Sequence, residues 1–339
     1  MRILSPMPTG SGSYVLHQQL AEHLDGYRLR PYSPWWTLCP PALPLFSRGR
    51  ADLIHSAADY GCFFRRSGVP LVATIHNYVC DSFMRPYSSR LQYLHYRTDL
   101  RLFTRRTLAV ADRVVAISRF VEERVAEDLG VSVPMRLIYN GVDERRFVPA
   151  SPAGRRGQGP IKVLFCGNLN RRKRADLLVP LANALGGGFE IHYTAGLAGA
   201  ADLTDRPGPA AATLKNRGAV AHANMPAVYQ GVDVLFMPSV REGFGLCVAE
   251  AMACGLPVVA ADAGATPELV HHGVGGYLCA IDDLDAYADA IRRIAASPED
   301  ARQMGDYNRA LVEQRFTLAR MVDEYRQLFE ETLDRGVNR

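Results

Sequence analysis

The sequence predicts an α/β protein built as two Rossmann-like domains that face each other across a cleft. Short apolar runs alternate with helical patterns from end to end, the signature of strand-helix-strand units and parallel sheets. These runs fall into two series, parted by "PASPAGRRGQGP" at 149–160, a stretch dense in Pro, Gly and Ala with no periodicity. A chain of 339 residues, 48% of them hydrophobic, has enough material for two separate cores.

In the first series the expected strands are 2–5, 53–55, 71–75, 113–117 and 136–138, and several end in or beside a polar residue: Ser5, His55, His76, Ser118 and Asn140. Ligands of open parallel sheets bind outside the carboxyl ends of the strands, so this row points to one cleft. The second series has strands at 161–165, 190–193, 232–237, 257–261 and 276–278, with helices near 174–185, 226–230, 245–254 and 284–296. A final helix over 318–333 carries Met321, Val322, Tyr325, Leu328 and Phe329 on one stripe. The domains are therefore set at 1–152 and 153–316, with a terminal helix at 317–335.

Composition narrows the function. The longest apolar runs stop well short of a membrane span and the first residues lead straight into a strand, so neither a span nor a signal peptide is expected, and the chain is placed in the cytoplasm. Seven cysteines are scattered without a Cys-x-x-Cys pair and read as reduced thiols; no His/Cys/Asp cluster has zinc spacing, so no structural metal is expected. The net charge of +4 is uneven, with +6 in residues 1–150 and −2 in the rest. Within the basic half, residues 85–113 hold seven Arg against two Asp, with Tyr and Leu interleaved. This pattern fits best a charged amphipathic helix covering the domain core, with a helix resting at the inner face of an anionic membrane or meeting an acidic acceptor as the alternative. None of the sequence signatures of the common nucleic-acid-binding folds is present, so no nucleic-acid partner is expected.

Three stretches carry chemistry. "PTGSGSYVLHQQLAEHL" at 8–24 puts Gly10 and Gly12 between a strand and a helix, where backbone N–H groups can hold an anion. The spacing is not that of a dinucleotide fingerprint, which needs a third glycine and a ribose-binding acid. "FCGNLNRRKRADLLV" at 165–179 packs Arg171 to Arg174 ahead of a helix, where the macrodipole disfavours cations unless an anion compensates. Lys173 is one of three lysines beside 36 arginines, and a compact ammonium suits a phosphate oxygen in a tight site. "VREGFGLCVAEAMACGLPVVAADAG" at 240–264 buries Glu250 in a helix with no polar face, so its carboxylate needs specific donors, and a pair of sugar hydroxyls would serve.

These residues resemble those of glycosyltransferase family 4, the retaining nucleotide-sugar transferases of the GT-B fold. Glu242, seven residues, then Glu250 matches the paired-glutamate motif of that family, and "VVAISRF", "LIYNGVD" and "VDVLFMPS" match further stretches. The resemblance covers nearly the whole chain. It implies a hexosyltransferase-type, metal-independent enzyme without a cofactor, moving a sugar from a nucleotide-diphosphate donor to a sugar or lipid-linked acceptor in polysaccharide or glycoconjugate synthesis.

By the same resemblance Glu250 holds the donor ribose, Glu242 with Gly243, Phe244, Gly245 and Leu246 faces the donor sugar, and Lys173 neutralises the diphosphate with help from Gly10 and Gly12. His76 takes the place of a family histidine near the transferred sugar, and the terminal helix crosses back to the N-terminal domain. Two departures stand out: Asn168 replaces a diphosphate-binding arginine, so that either Arg172 takes the role, the reading favoured, or the diphosphate is held less tightly, and Asn77 stands where an acid often follows the histidine. A sugar-nucleotide epimerase on the same fold, or a non-catalytic sugar-nucleotide-binding partner, remain the alternatives.

Overall fold

The computed structural model describes residues 1–151, 159–195 and 207–337. Most of the stretch read as a linker, 152–158, lies outside the described residues. By contacts the chain forms two units, Met1–Gly141 with Ala319–Arg339, and Val142–Leu318.

The first unit runs β1 (Ile3–Pro8), α1 (Gly12–His23), β2 (Tyr27–Tyr32), β3 (Leu53–Ala57), β4 (Leu71–Ile75), α2 (Arg90–His95), α3 (Arg101–Val110), β5 (Arg113–Ala116), α4 (Arg119–Leu129) and β6 (Met135–Leu137). Its strands form one parallel sheet in the order β2-β1-β3-β4-β5-β6. The central strand β4 is buried along its whole length, which is why it reads as a run that is apolar except for Thr74. Ser118 caps α4 by accepting from the Val121 amide at 3.1 Å, and Gly130 closes it in the left-handed conformation.

The second unit continues with β7 (Ile161–Phe165), α5 (Leu178–Leu185), β8 (Phe189–Tyr193), β9 (Thr213–Asn216), α6 (Met225–Gln230), β10 (Val234–Met237), α7 (Leu246–Ala253), β11 (Val258–Ala261), β12 (Gly276–Cys279), α8 (Leu284–Ala296) and α9 (Pro298–Arg315). Its parallel sheet is ordered β12-β11-β10-β7-β8-β9. Counted from β7 this is the doubly wound 3-2-1-4-5-6 pattern, whose order reverses between β7 and β10. A ligand crevice is expected outside the carboxyl ends of those two strands.

The last helix, α10 (Leu318–Val337), begins at the edge of the second unit and then belongs to the first. Its stripe of Met321, Val322, Tyr325, Leu328 and Phe329 is buried. There the Phe329 ring lies 6.2 Å from that of Tyr27 and 5.2 Å from that of His55. The boundary at Val142 falls ahead of 152 because Val142 already bonds to the second unit, its amide to the Phe316 carbonyl at 2.8 Å, and Phe147 is buried there.

The fold departs from the sequence reading in four places. Strands β2 and β9 were not expected; both are sheet edges, with three of six side chains exposed in β2 and three of four in β9, so they lack an apolar run. Ser5 and His55 do not sit at strand ends but inside β1 and β3, fully buried. The segment 85–113 is helical only over 90–110, where α2 and α3 run on through a π turn at Tyr96–Leu100; residues 85–89 precede the helix and Arg113 already opens β5. Finally, Arg171–Lys173 forms a short 3-10 turn and α5 starts only at Leu178, so the basic run precedes the helix by several residues.

Candidate active site

The reversal point of the second sheet gathers the residues that the sequence singles out. The loop after β7 carries Cys166 to Arg174, and the loop after β10 carries Ser239 to Gly245. The two loops are stitched together, with the Val240 amide donating to the Arg172 carbonyl at 3.0 Å and the Ser239 hydroxyl oxygen 3.3 Å from the same carbonyl oxygen.

At their junction Glu242 Oε1 collects three donors. Lys173 Nζ lies 2.8 Å away and Arg172 Nη1 3.1 Å, and the Ser239 hydroxyl makes a short bond to the same atom. Burial alone would raise the Glu242 carboxyl, but Lys173 and Arg172 outweigh it and bring it down to about 2. Burial likewise opposes the charge on Lys173, and Glu242 more than restores it. The result is a cationic pair held next to one carboxylate, in a site where each member depends on the others.

Two glycines make this packing possible. Gly167, in a positive-φ conformation, lies under the Lys173 side chain, and a Cβ there would sit 3.3 Å from Lys173 Cε. Gly264, also at positive φ, passes so close to Glu242 that a Cβ would fall 2.7 Å from its amide nitrogen and 2.8 Å from its carbonyl oxygen. Any larger residue at 264 must displace the Glu242 backbone.

Of the four basic residues at 171–174, the structure brings only Arg172 and Lys173 to the carboxylate. Arg171 is exposed, and Arg174 turns away to pair with Asp176 and Asp282 at 3.1 and 2.6 Å. Asn168 is exposed, just past Gly167. Gly243, Phe244 and Gly245 are all buried, with the Phe244 ring 5.6 Å from that of Phe316, and they lead into α7 at the half-buried Leu246.

Glu250, one turn into α7, finds the specific donors its apolar helix requires. His222 Nε2 bonds to Oε1 and the Tyr229 hydroxyl donates to Oε2, each at 2.8 Å. An ionised carboxylate accepts about four hydrogen bonds, so this one retains capacity for a ligand diol. Beside it, the thiols of Cys166 and Cys247 are in mutual contact: the hydrogen bond from Cys247 draws Cys166 below the usual thiol range and pushes Cys247 above it.

Sequence reasoning missed His222, Tyr229 and Ser239. Ser239 was detectable as the polar residue ending "VDVLFMPS", whereas His222 and Tyr229 lie in 219–230 with no pattern that sets them apart.

In the first unit, Gly10 lies in the loop after β1 and Gly12 opens α1, with Ser11 between them capping the helix by accepting from the Tyr14 amide at 3.3 Å. His76 follows β4 directly, half-buried, and its Nε2 meets His17 Nε2 at 3.1 Å. Burial pushes His76 down to about 3. Asn77 spends its side-chain oxygen locally, on the Tyr78 amide at 2.8 Å.

Residues 5–146 match the family described as Glycosyltransferase Family 4, and residues 160–297 match that described as Glycosyl transferases group 1. The chain belongs to glycosyltransferase family 4. This glycosyltransferase is similar to a D-inositol 3-phosphate glycosyltransferase of Saccharomonospora viridis, 28% identical over 84% of this chain and 71% of that one. It is also similar to a GDP-mannose-dependent alpha-(1-6)-phosphatidylinositol monomannoside mannosyltransferase of Mycolicibacterium smegmatis, 31% identical over 72% of this chain and 66% of the relative.

Among solved structures, a sucrose-phosphate synthase from Thermosynechococcus elongatus superposes with a TM-score of 0.81 at 20% identity, covering 98% of this chain and 99% of that one. HepE from Anabaena, in complex with UDP and glucose, gives 0.78 at 21% identity over 97% and 99%. These two likenesses speak to the fold: the glycosyltransferase has the GT-B architecture of two Rossmann-like units. Its reaction is the transfer of a sugar.

Proposed function

We propose that this glycosyltransferase moves a sugar, with retention of anomeric configuration, from a nucleotide-diphosphate sugar to a hydroxyl of a sugar or lipid-linked acceptor. The observation that carries this reading is the Lys173–Arg172–Glu242 cluster at the reversal point of the second sheet. Two cations held within bonding distance of one carboxylate can turn to the charge of a diphosphate leaving group.

In the reaction the bond between the anomeric carbon and the diphosphate oxygen breaks, and the acceptor oxygen bonds to that carbon on the same face. The acceptor proton passes to the departing diphosphate. Lys173 and Arg172 take up the charge building there, Arg172 standing in for the arginine that Asn168 replaces. They do the work a divalent cation would otherwise do, so turnover is expected to persist in chelator. The amides of Gly243 to Leu246 and those around Asn168 line the donor, and Gly10 and Gly12 contribute amides from the first unit. Glu242 orients the transferred sugar, Glu250 accepts the ribose hydroxyls, and His76 acts on the transferred sugar.

HepE is solved with UDP, and the similar mannosyltransferase is GDP-mannose-dependent by name. Both point to a nucleoside diphosphate, and both relatives' names specify transfer to an acceptor, which favours a transferase over an epimerase or a binding partner. The test is the melting temperature in chelator with UDP, GDP, ADP or dTDP. One nucleotide at about 100 times its dissociation constant should add roughly 2.7 kcal/mol. No shift with any of the four would remove the donor site.

We also infer a cytoplasmic location with peripheral contact, through 85–113, at the inner face of an anionic membrane. Leu91, Leu94 and Leu102 are exposed on this segment, next to exposed Arg90, Arg105 and Arg106, and Trp35 and Leu38 are exposed on the same unit. Arg97 and Arg101 are instead tied to Asp128, at 3.6 and 3.1 Å. Among the described residues no helix is long and apolar enough to cross a membrane. Binding to vesicles containing phosphatidylglycerol, lost on Leu91→Asp and in 0.5 M salt, is the expected result; equal recovery with neutral vesicles would argue against it.

A further inference from the structure

The first unit buries a row of polar side chains that the donor chemistry leaves unused. Ser5 on β1, His17 on α1, Tyr27 on β2, His55 on β3, Thr74 on β4 and Tyr325 on α10 are each at most 5% exposed. They form a continuous hydrogen-bonded chain that starts at His76. His17 Nε2 meets His76 Nε2 at 3.1 Å, and His17 Nδ1 meets Ser5 Oγ at 2.8 Å and the Tyr27 hydroxyl at 2.7 Å. The Tyr27 hydroxyl reaches His55 Nδ1 at 2.7 Å, His55 Nε2 reaches Thr74 Oγ1 at 2.8 Å, and Thr74 Oγ1 meets the Tyr325 hydroxyl at 3.2 Å. The His17 and His55 rings stack at 4.3 Å.

Such a row constrains protons. Burial holds His17, His55 and His76 well below the ordinary imidazole value, so all three are neutral near pH 7 and each carries one N–H. Two neutral imidazoles meeting Nε2 to Nε2 share a single proton between them. If it sits on His76, His17 must carry its own on Nδ1; if it sits on His17, then His76 is forced to the Nδ1–H form.

The surroundings of His17 Nδ1 decide between these. It faces two hydroxyl oxygens at similar distance, and one N–H can be shared between two acceptors, whereas one in-plane lone pair cannot fully accept from two donors. With His17 as the Nδ1–H donor every later bond finds a direction: Tyr27 donates to His55, His55 to Thr74, and Thr74 to Tyr325. We infer that His17 is a positioning residue that holds His76 as its Nε2–H tautomer, leaving His76 Nδ1 as a bare acceptor for a hydroxyl of the transferred sugar. This inference rests on the proposed role of His76.

The tautomer is read directly in the intact protein labelled with 15N-histidine, from long-range 1H–15N spectra. His76 should show a protonated Nε2 and an unprotonated Nδ1, and the reverse pattern overturns the inference whatever the activity. In turnover, His17→Leu should lower kcat/KM roughly 10- to 100-fold, the range for loss of a partner that orients a working side chain, with the nucleotide-induced melting shift retained. His17→Gln, whose amide oxygen can accept from His76, should recover most of that loss. Equal loss in His17→Leu and His17→Gln would make His17 a packing residue only. If instead His76→Ala turns over normally, the role proposed for His76 fails, while the spectrum still decides the tautomer.

Discussion

Replacing Lys173 with alanine should lower kcat about 100- to 1000-fold, the loss typical when one preorganised donor to a developing oxyanion is removed. The ammonium lies 2.8 Å from Glu242 Oε1 and is nearly enclosed, so water cannot easily take its place. Arg172 and Ser239 remain on the same carboxylate oxygen, so the site keeps a partner for Glu242 and the protein should stay folded. A change in KM alone would mean that Lys173 binds the ground state and leaving group equally. Unchanged turnover would remove Lys173 from the reaction.

The same cluster carries a pH signature. The Glu242 carboxyl sits at about 2 in the folded protein, below the unfolded carboxylate range, so its contribution to stability is fully present above about pH 4.5 and is lost as pH falls towards 2. Removing Lys173 weakens the depression, and the acid-unfolding midpoint of Lys173→Ala should move to higher pH. An unmoved midpoint would show that Arg172 alone sets the Glu242 ionisation.

Glu250→Ala should weaken nucleotide-diphosphate binding by roughly one to two orders of magnitude, since hydrogen bonds to a charged group contribute about 1.5–3 kcal/mol each. A ribose contact is made equally before and during transfer, so KM should rise much more than kcat falls. The substitution also leaves the Tyr229 hydroxyl, buried beside Glu250, without its acceptor, which costs about 1–3 kcal/mol of stability. Adding Tyr229→Phe should return part of that stability and none of the affinity. Calorimetric titration with the preferred nucleotide checks both parts, and wild-type affinity in Glu250→Ala would place the ribose elsewhere.

Legibility in the sequence followed burial. Interior parallel strands such as β4 and β11 are buried on both faces and almost wholly apolar, so their residues announce them, while β2 and β9 sit at sheet edges and look like loops. Glu250 was legible because no polar face existed to solvate it, and Lys173 because it runs against an arginine-rich composition. Their partners were not. Tyr229 and His222 reach Glu250 from α6 and the turn before it, and His17 reaches His76 across 59 positions, contacts that depend on topology and not on spacing. Arg174 carried the right charge in the right run, yet a left-handed backbone turned it towards Asp282. No periodicity encodes that turn.

Helix α10 bears on the order in which the protein can mature. Most of the first unit is made before the second, yet the surface formed by Tyr27, His55 and Thr74 is covered by Tyr325 and Phe329, which are made after it. Everything from Val142 to Leu318 is synthesised in between, an interval on the order of ten to forty seconds at ordinary elongation rates. The second unit is continuous in sequence and can complete itself during that time. The N-terminal half must wait with that flank uncovered and its buried polar row open to water, which makes it the part of the nascent chain most in need of a chaperone.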